Sequence, residues 1–582
     1  MLSEYQKFQI KRWWRRRLRS VHRLRDTVIH TVNESIFKPM TGFKEIRRFS
    51  IGWVGIVVLI VAGLIIQSGQ LDAEYKQTIP KEGGVFSEGI VGELSNFNPL
   101  FASGNANQAA ARLMFSSLYK YDHSGQLIPD LAKEITVAKD DITYTVKLRD
   151  DVFWHDGVRL TAKDVVFTFK TIQNPEARSP LLDSWKDIQI REVSKHVVEF
   201  KLPNKFAPFQ YSLTSSIVPE HILSKLDVTE LRTTVFNQAP VGSGPFVFKG
   251  LDAEKGKLEL VRNEDYHNGA PYLNRFILTT FEDQTDLDRA IQAGELTAIA
   301  DVSSNQENIP SDYQRYRLPL SNSVFSFFNT SRPPLNDLDV RKALAESINR
   351  DEILDEVQLP DGASRSPLLV EHIGYDPKLV QTEIGIQEVA KYLNEKGWVS
   401  GSDGVRVKGD QRLKLTITSQ TGGEFPKVTQ KLASTWRSIG AEVEINLLSL
   451  DELRKERIVS HDYDVLLFGI AMGSDPDVFA YWHSSQREEG GFNLSEYQSA
   501  KADDALEAGR TRLDPNLRAA KYRAFTQTWL SDTPAVALYR TSLNYVQDRS
   551  VTGFQTRRII DPADRFNNVE DWAVTSSEAV RK

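Results

Sequence analysis

The chain has 582 residues, 40% of them apolar and 26% charged, with a net charge of -6; this is globular composition in a chain too long for one hydrophobic core, so two or three domains are expected. It has no cysteine, which excludes disulfides, thiol nucleophiles, cysteine-ligated zinc and lipid attachment through a cysteine, so that any anchor must be peptide. The charge is uneven, because residues 1–48 carry thirteen Lys or Arg against four acidic residues, which leaves the remainder clearly acidic.

The basic lead KFQIKRWWRRRLRSVHRLRD mixes Trp13 and Trp14 with seven Arg. A topology signal is the preferred reading, and an amphipathic segment lying on anionic lipid or docked on a partner is the alternative. The run Phe49–Leu71 follows, with no charge between Arg48 and Asp72. About 20 helical residues at ~1.5 Å each span the ~30 Å hydrocarbon core. The basic flank on its N-terminal side places residues 1–48 in the cytoplasm and the rest outside, extracellular or periplasmic. A retained single-pass anchor is preferred to a cleaved signal peptide, because the charged lead and the apolar run are both long for a signal sequence. No nucleic-acid partner is expected for such a tethered chain. Residues 72–84, with Pro80, Gly83 and Gly84, read as a polar linker.

Beyond it, strand and helix patterns alternate irregularly, as in a mixed α/β chain. In DITYTVKLRD, Ile142, Tyr144, Val146 and Leu148 share one face, the period of a half-buried strand. NDLDVRKALAESINRDEI repeats apolar groups at Val340, Leu344 and Ile348, with Asn336 or Asp337 able to cap the helix. FPKVTQKLASTWRSIG repeats at Val428, Leu432, Thr435 and Ile439 and stops at Gly440; AEVEINLL then alternates Val443, Ile445 and Leu447 as a strand.

The stretch DVFWHDGVRLTAKDV sets His155 beside Asp156 and raises the possibility of catalysis. Its punctuation argues for a connection instead. Asp156-Gly157 is a turn signal, and Thr161 with Asp164 forms a capping box for the helix VVFTFKTIQ, which ends at Asn174-Pro175. None of the ten histidines makes a close metal-ligand pair, and no nucleophile elbow or phosphate-binding loop is present. On this reading Gly157→Val does more damage than His155→Ala. No metal, cofactor or catalytic residue is expected.

The region from Pro129 to Val165 resembles the signature of the extracellular solute-binding proteins of family 5, the oligopeptide- and dipeptide-binding subunits of ABC importers. The matching pieces are Pro129 to Ala132, Tyr144 to Arg149, Trp154 to Gly157 and Leu160 to Val165. PVGSGPFVF (Pro240–Phe248), VRNEDYHNGAPYLNRFIL (Val261–Leu278), FFNTSRPPLNDLDVRKALAESINRDEI (Phe327–Ile353) and later blocks follow in the family's order over about residues 85–560.

The resemblance implies an α/β, two-lobed, periplasmic-binding-protein-like fold of class II with an extra subdomain, preceded here by one transmembrane helix. The implied divisions are a cytoplasmic segment at 1–48, the helix at 49–71, a linker at 72–84, a discontinuous lobe at 85–326 and 531–582 with a subdomain inserted at about 105–235, and a second lobe at 327–530. It implies capture of a peptide or peptide-like solute between the lobes, and delivery to permease subunits served by a separate ATPase. In family peptide binders an Asp clamps the ligand's ammonium; aligned on Asp475-Pro476, that place holds Met472, and Gly469 stands where a Trp is usual. The implied ligand contacts are Phe97, Asn98, Phe328, Asn329, Gly469, Ile470, Met472, Asp475, Trp482 and His483, whereas Arg341 reads as a structural ion-pair partner. A membrane-anchored surface hydrolase using His155 and Asp156, and a ligand sensor using the same cleft, are the alternative functions.

Overall fold

The computed structural model describes residues 52–63, 76–300, 309–359 and 362–580. These fall into two units, one of residues 80–576 and a smaller one from the segments that flank it. In the smaller unit residues 52–63 are helical and all exposed. Among the described residues no helix is long and apolar enough to cross a membrane. The rest of the 49–71 run, the basic lead and residues 72–75 of the linker lie outside the described residues.

Within the larger unit the chain begins with β1 (Val85–Val91) and α1 (Asn105–Met114). A subdomain follows, made of β2 (Ala132–Val137), β3 (Thr143–Leu148), α2 (Ala162–Gln173), β4 (Gln189–Ser194) and β5 (Val197–Lys201). Next come β6 (Phe246–Asp252), β7 (Lys257–Arg262), β8 (Arg275–Phe281), β9 (Ala298–Ala300) and β10 (Tyr313–Pro319). The second lobe holds β11 (Asn322–Phe328), α3 (Leu338–Glu346), β12 (Lys414–Gln420), α4 (Phe425–Ser438), β13 (Glu442–Leu448), β14 (Val465–Ala471), α5 (Ala500–Thr511), α6 (Pro515–Asp532) and β15 (Ala535–Tyr539). The chain returns with β16 (Ser542–Asp548).

Three sheets organise these elements. The first lobe has a seven-stranded sheet in the order β10-β16-β9-β1-β8-β7-β6, the subdomain a four-stranded sheet β2-β3-β5-β4, and the second lobe a five-stranded sheet β13-β12-β14-β11-β15. The period of two decides what each strand buries. In β3, Tyr144, Val146 and Leu148 enter the core shared by first lobe and subdomain. The central β11 is buried on both faces, Val324 and Phe328 in one core and Phe325 and Phe327 in the other.

Only two short segments join the five-stranded sheet to the seven-stranded one, Leu320–Ser321 between β10 and β11 and Arg540–Thr541 between β15 and β16. They are tied to each other: the Asn322 Nδ2 donates to Thr541 Oγ1 at 2.6 Å, Thr541 N to Asn322 Oδ1 at 3.1 Å, and Arg540 Nη2 to the Leu320 carbonyl at 3.0 Å. The crossings lie a few residues outside the expected 327–530 segment, because β11 starts at Asn322, five residues before the Phe327 of the sequence motif.

The Trp-His-Asp stretch is a clamp between segments. His155 Nδ1 accepts from Gly242 N at 3.2 Å and Nε2 lies 3.1 Å from the Gly244 carbonyl. That glycine turn packs on the end of α1, where a Cβ at Gly242 would stand 1.8 Å from the Met114 carbonyl oxygen. The capping residue Asp164 accepts from Thr161 N at 2.8 Å and also from Glu220 N at 2.9 Å, so it joins two helices. Asp156 pairs with His221 at 2.8 Å.

This reverses the expected order of damage. Gly157 has φ +85 with open space around it, so Val there meets only backbone strain, about 1–2 kcal/mol. His155→Ala strands the buried Gly242 N–H and opens a void, about 2–4 kcal/mol. Urea unfolding midpoints of the two variants measure the difference, and a larger loss for Gly157→Val would restore the order that the sequence suggests.

Candidate functional site

Strand β14 has one closed and one open edge. It pairs with β11 along its whole length, from Asn322↔Ala471 to Phe328↔Val465. On the other side β12 pairs with it only at Ile417↔Val465 and Thr418↔Leu466, and the Ser419 hydroxyl extends the contact to the Leu467 carbonyl at 3.0 Å. Met472 N donates to Ser321 O on the β11 side, so by alternation the polar groups of Gly469 and Ala471 face the open edge. The Tyr481 hydroxyl occupies the Ala471 carbonyl at 2.6 Å. No strand neighbours Gly469 on that side among the described residues.

A cavity of about 450 Å³ borders this edge, lined by Phe468, Ile470, Tyr481, Phe492, Leu494 and Ile458, with Arg454 as its one charged lining residue among those described. Arg454 and Ile458 reach it from residues 453–458, which wind as a π-helix, a geometry common where a helix has been re-aimed at a functional site. Phe492 is 54% exposed at the rim. Apolar walls beside unpaired backbone suit a ligand with main-chain amides and a large apolar side chain.

The segment after β14 faces the first lobe. Arg510 receives that contact: its carbonyl accepts from Ala207 N at 2.8 Å, and its guanidinium lies 5.1 Å from the Phe206 ring centroid and 4.0 Å from that of Phe479. Glu371 of the second lobe sits between Arg540, at 2.8 Å, and Arg558 of the first lobe, at 4.0 Å. Burial pushes the Glu371 carboxyl up, but Arg540 and then Arg558 outweigh it and hold it below its ordinary value. His372 donates to the Gly473 carbonyl at 3.1 Å and accepts from Leu369 N at 3.3 Å, so it is the neutral Nε2–H tautomer.

The residues expected to contact ligand divide accordingly. Gly469 and Ile470 border the cavity. Met472 follows at the edge's end, buried in the aromatic core of the second lobe. Asp475 is closed off by Arg518, with bonds of 2.7 and 2.8 Å to its two oxygens; burial pulls the Arg518 guanidinium down, but this twofold bond prevails and holds it above its ordinary value. Asp477 pairs with Arg510 at 2.7 Å. Trp482 has no exposed surface and packs with Phe325, Phe327 and Trp529. His483 stacks on Phe479 and faces Ser485 and Glu507. Phe97 and Phe328 are fully buried core residues. Asn98 bonds Asn237 and Leu100 N, and Asn329 donates to the His461 and Tyr463 carbonyls. Arg341 is structural as expected, but it bonds the carbonyls of Asp532, Thr533 and Leu335 rather than a carboxylate.

Phe468, Tyr481, Phe492 and Arg454 are absent from the sequence-derived set. The one local signal was an aromatic directly after the Gly490-Gly491 pair, at Phe492.

The model for bacterial extracellular solute-binding proteins, family 5, matches residues 126–491. The oligopeptide-binding protein AppA of Bacillus subtilis is 26% identical over 516 residues, 85% of this chain and 92% of that one. The solved structure of that protein with a nonapeptide superposes with a TM-score of 0.68 at 24% identity, covering 85% of this chain and all of the other. NikZ from Campylobacter jejuni with Ni(L-His) gives 0.69 at 24% identity over the same shares.

His372 makes the site's anchoring pH-dependent. Burial lowers its pKa to about 4 from an unfolded value near 6.5. Between these values the unfolded chain binds the extra proton, so the stability is complete above about pH 6.5 and is lost as pH falls toward 4, by up to about 3 kcal/mol. His155, lowered to about 4 by burial in the same way, adds with the same sign. Urea unfolding at pH 7.5, 5.5 and 4.5 is expected to show this slope, and His372→Gln to flatten it; an unchanged slope in that variant would refute the assignment.

Proposed function

The chain belongs to the bacterial extracellular solute-binding proteins, family 5, and from that premise we propose that it is the cargo-binding subunit of an ABC importer for peptides or peptide-like solutes. It acts as a receptor, not an enzyme. The observation that carries the cargo class is the open edge of β14 at Gly469 above an apolar cavity. An extended peptide can add its main chain to such an edge and drop a large apolar side chain into the cavity, so affinity comes from backbone bonds and selectivity from the pocket. The oligopeptide cargo of the Bacillus subtilis relative supports this class.

Recognition by charge is different from the ammonium clamp of the family's peptide binders. Met472 carries no charge, and the two carboxylates after it are already matched by Arg518 and Arg510. A free amino terminus therefore has no carboxylate waiting at this place. The two crossings at Leu320–Ser321 and Arg540–Thr541 serve as the hinge, since few residues connect the lobes there. Phe206–Ala207 on Arg510 is the contact that closes. Closed, liganded protein then docks on permease subunits driven by a separate ATPase.

The 49–71 run is the anchor in this reading. Support comes from residues 52–63, where Trp53, Val54, Ile56, Val57, Val58, Leu59, Ile60 and Val61 are all exposed large apolar groups on one helix, a surface suited to lipid.

Denaturing release and mass spectrometry of what co-purifies with the full chain tests the cargo class. Short peptides are expected; a single non-peptide species would keep the uptake role and overturn the peptide reading. For a peptide so found, N-acetylation is expected to change affinity by less than about threefold, against the roughly 2–5 kcal/mol lost when a buried charge partner is removed; calorimetry decides between them. Phe492→Ala is expected to leave stability unchanged, because the ring is exposed, and to weaken binding five- to thirtyfold, about 1–2 kcal/mol. Undiminished affinity would remove the cavity from the binding site.

A further inference from the structure

His155 and His372 each accept a backbone N–H at one ring nitrogen and face a carbonyl from the other, so a neutral ring completes both bonds. His461 departs from that pattern. Its Nδ1 bonds the Glu496 carboxylate, and its Nε2 stands 3.0 Å from the Gly491 carbonyl oxygen. Both partners are acceptors, so the ring makes both bonds only with a proton on each nitrogen, as the imidazolium. A neutral ring turns a lone pair toward one of the two oxygens and loses that contact. The side chain is 5% exposed, so water has little access to replace it. His461 and Glu496 both hold left-handed backbone, at φ 50 and φ 51, which residues other than glycine keep only where their surroundings impose it.

The groups around the ring leave Glu496 as its charged partner. Glu496 gives Oε1 to His461 and Oε2 to Arg487, 3.1 Å from Nε and 3.0 Å from Nη2. Asp462, next in the chain, is taken by Arg332 at 2.9 Å and by Arg457. The Tyr463 ring lies 6.3 Å from the imidazole, and its hydroxyl donates to the Leu494 carbonyl at 2.9 Å; burial pushes that phenol up, so it stays neutral. What the ring holds is a wall of the cargo cavity. Gly490, Gly491 and Phe492 line the cavity together with Ile458 and Val459, and Gly490 N donates to the Val459 carbonyl at 3.0 Å. Among the described residues no group other than His461 donates to the Gly491 carbonyl. The turn is close-packed, since a Cβ at Gly491 would stand 2.2 Å from the Gln486 carbonyl oxygen, and it carries Phe492 to the rim.

We propose that His461 is a positioning residue for the cargo, and a proton-dependent one. As the imidazolium it bridges Glu496 to the Gly491 carbonyl and holds the Gly490–Phe492 wall in place. When it gives up a proton, the bond to the charged carboxylate is the stronger of the two and is kept, and Gly491 is released. Cargo is therefore bound more tightly in mild acid than in mild alkali. The proposal rests on the cargo cavity proposed above and deepens it, because it makes the wall that carries Phe492 adjustable. Its sign is opposite to that of His155 and His372, whose neutral rings favour the fold at higher pH. The two effects separate experimentally: theirs is read in global unfolding, and that of His461 in one loop.

The experiment uses the full-length chain, and its first arm needs no cargo. Hydrogen exchange is measured at pH 6.0 and 8.5, corrected for the intrinsic effect of pH, in fragments covering residues 486–494. In the parent this segment is expected to exchange about tenfold faster at the higher pH. Glu496→Gln tests the mechanism. Its amide oxygen keeps Arg487 and its amide N–H donates to Nδ1, so a neutral ring completes both bonds and the pH response is expected to disappear. An equal response in parent and variant would overturn the proposal. His461→Phe is expected to exchange fast at both pH values, and slow exchange at pH 6.0 would overturn it too. The second arm offers N-acetylated, C-amidated pentapeptides of uncharged residues with Phe at the centre, which do not titrate over this range. Retention, weighed by mass spectrometry, is expected to be about fivefold greater at pH 6.0 for the parent and independent of pH for Glu496→Gln. Peptide retained equally by the parent at both pH values would overturn the positioning role and leave the peptide reading intact. The expected exchange difference with no peptide retained at either pH would do the reverse, supporting the histidine latch while refuting peptides as cargo.

Discussion

Both lobes are organised around the short crossing at Leu320–Ser321. The Ser321 carbonyl accepts from Met472 N and Gly473 N, so the residue that links the two sheets also ends β14 and starts the loop that faces the first lobe. Ser321 N in turn donates to the Ile559 carbonyl, and Leu320 N to that of Thr541. One extended segment therefore fixes the end of the candidate edge, the second crossing and the segment at Ile559. Backbone groups buried at such a junction must be paired, and here each pairing ties two distant parts of the chain together. That is how a site can be assembled from residues 320, 371, 472 and 558 without a sequence motif that contains them all.

Charge inside the protein follows the same rule of completion. Glu88, Arg565 and Tyr545 form a wholly buried group in the first lobe, and Asp475 with Arg518 forms one in the second. Such pairs stabilise little in net terms, because desolvation offsets the attraction, but breaking one is expensive. They are better understood as fixing geometry: Asp475–Arg518 joins the loop after β14 to α6. Against this background an apolar cavity and an unpaired strand edge are departures from local optimisation, and departures of this kind cluster at functional sites.

The same contrast explains what became of the histidine beside the aspartate. His155, half-buried, and His372, buried, are built alike, each neutral and bonded through both ring nitrogens to backbone. Neither has the nucleophile or water-facing nitrogen that acid–base chemistry requires. Their common function is to pin a glycine-containing turn, Gly242–Gly244 in one case and Gly473 in the other, and the consequence they share is weaker folding in acid.

Local pattern was enough for the strand at Thr143–Leu148, the Thr161–Asp164 box, the Asp337 cap and the stop at Gly440, because turn chemistry and apolar period act over a few residues. The ordered motifs likewise carried the family and, with it, the two-lobed fold. Sequence also singled out the stretch Gly469 to Asp475, of which Gly469 and Ile470 line the cavity, and the uncharged side chain at Met472. It did not reveal that Asp475 and Asp477 were spoken for, since their partners Arg518 and Arg510 lie 43 and 33 residues away. Nor did it separate core aromatics such as Phe97, Phe328 and Trp482 from cavity aromatics such as Phe468 and Phe492, which look the same in one dimension. Whether a ring is buried, or a carboxylate already has a partner, depends on which elements the long-range pairing of strands brings alongside it. That is a property of the packed chain, decided only when two lobes and three sheets meet.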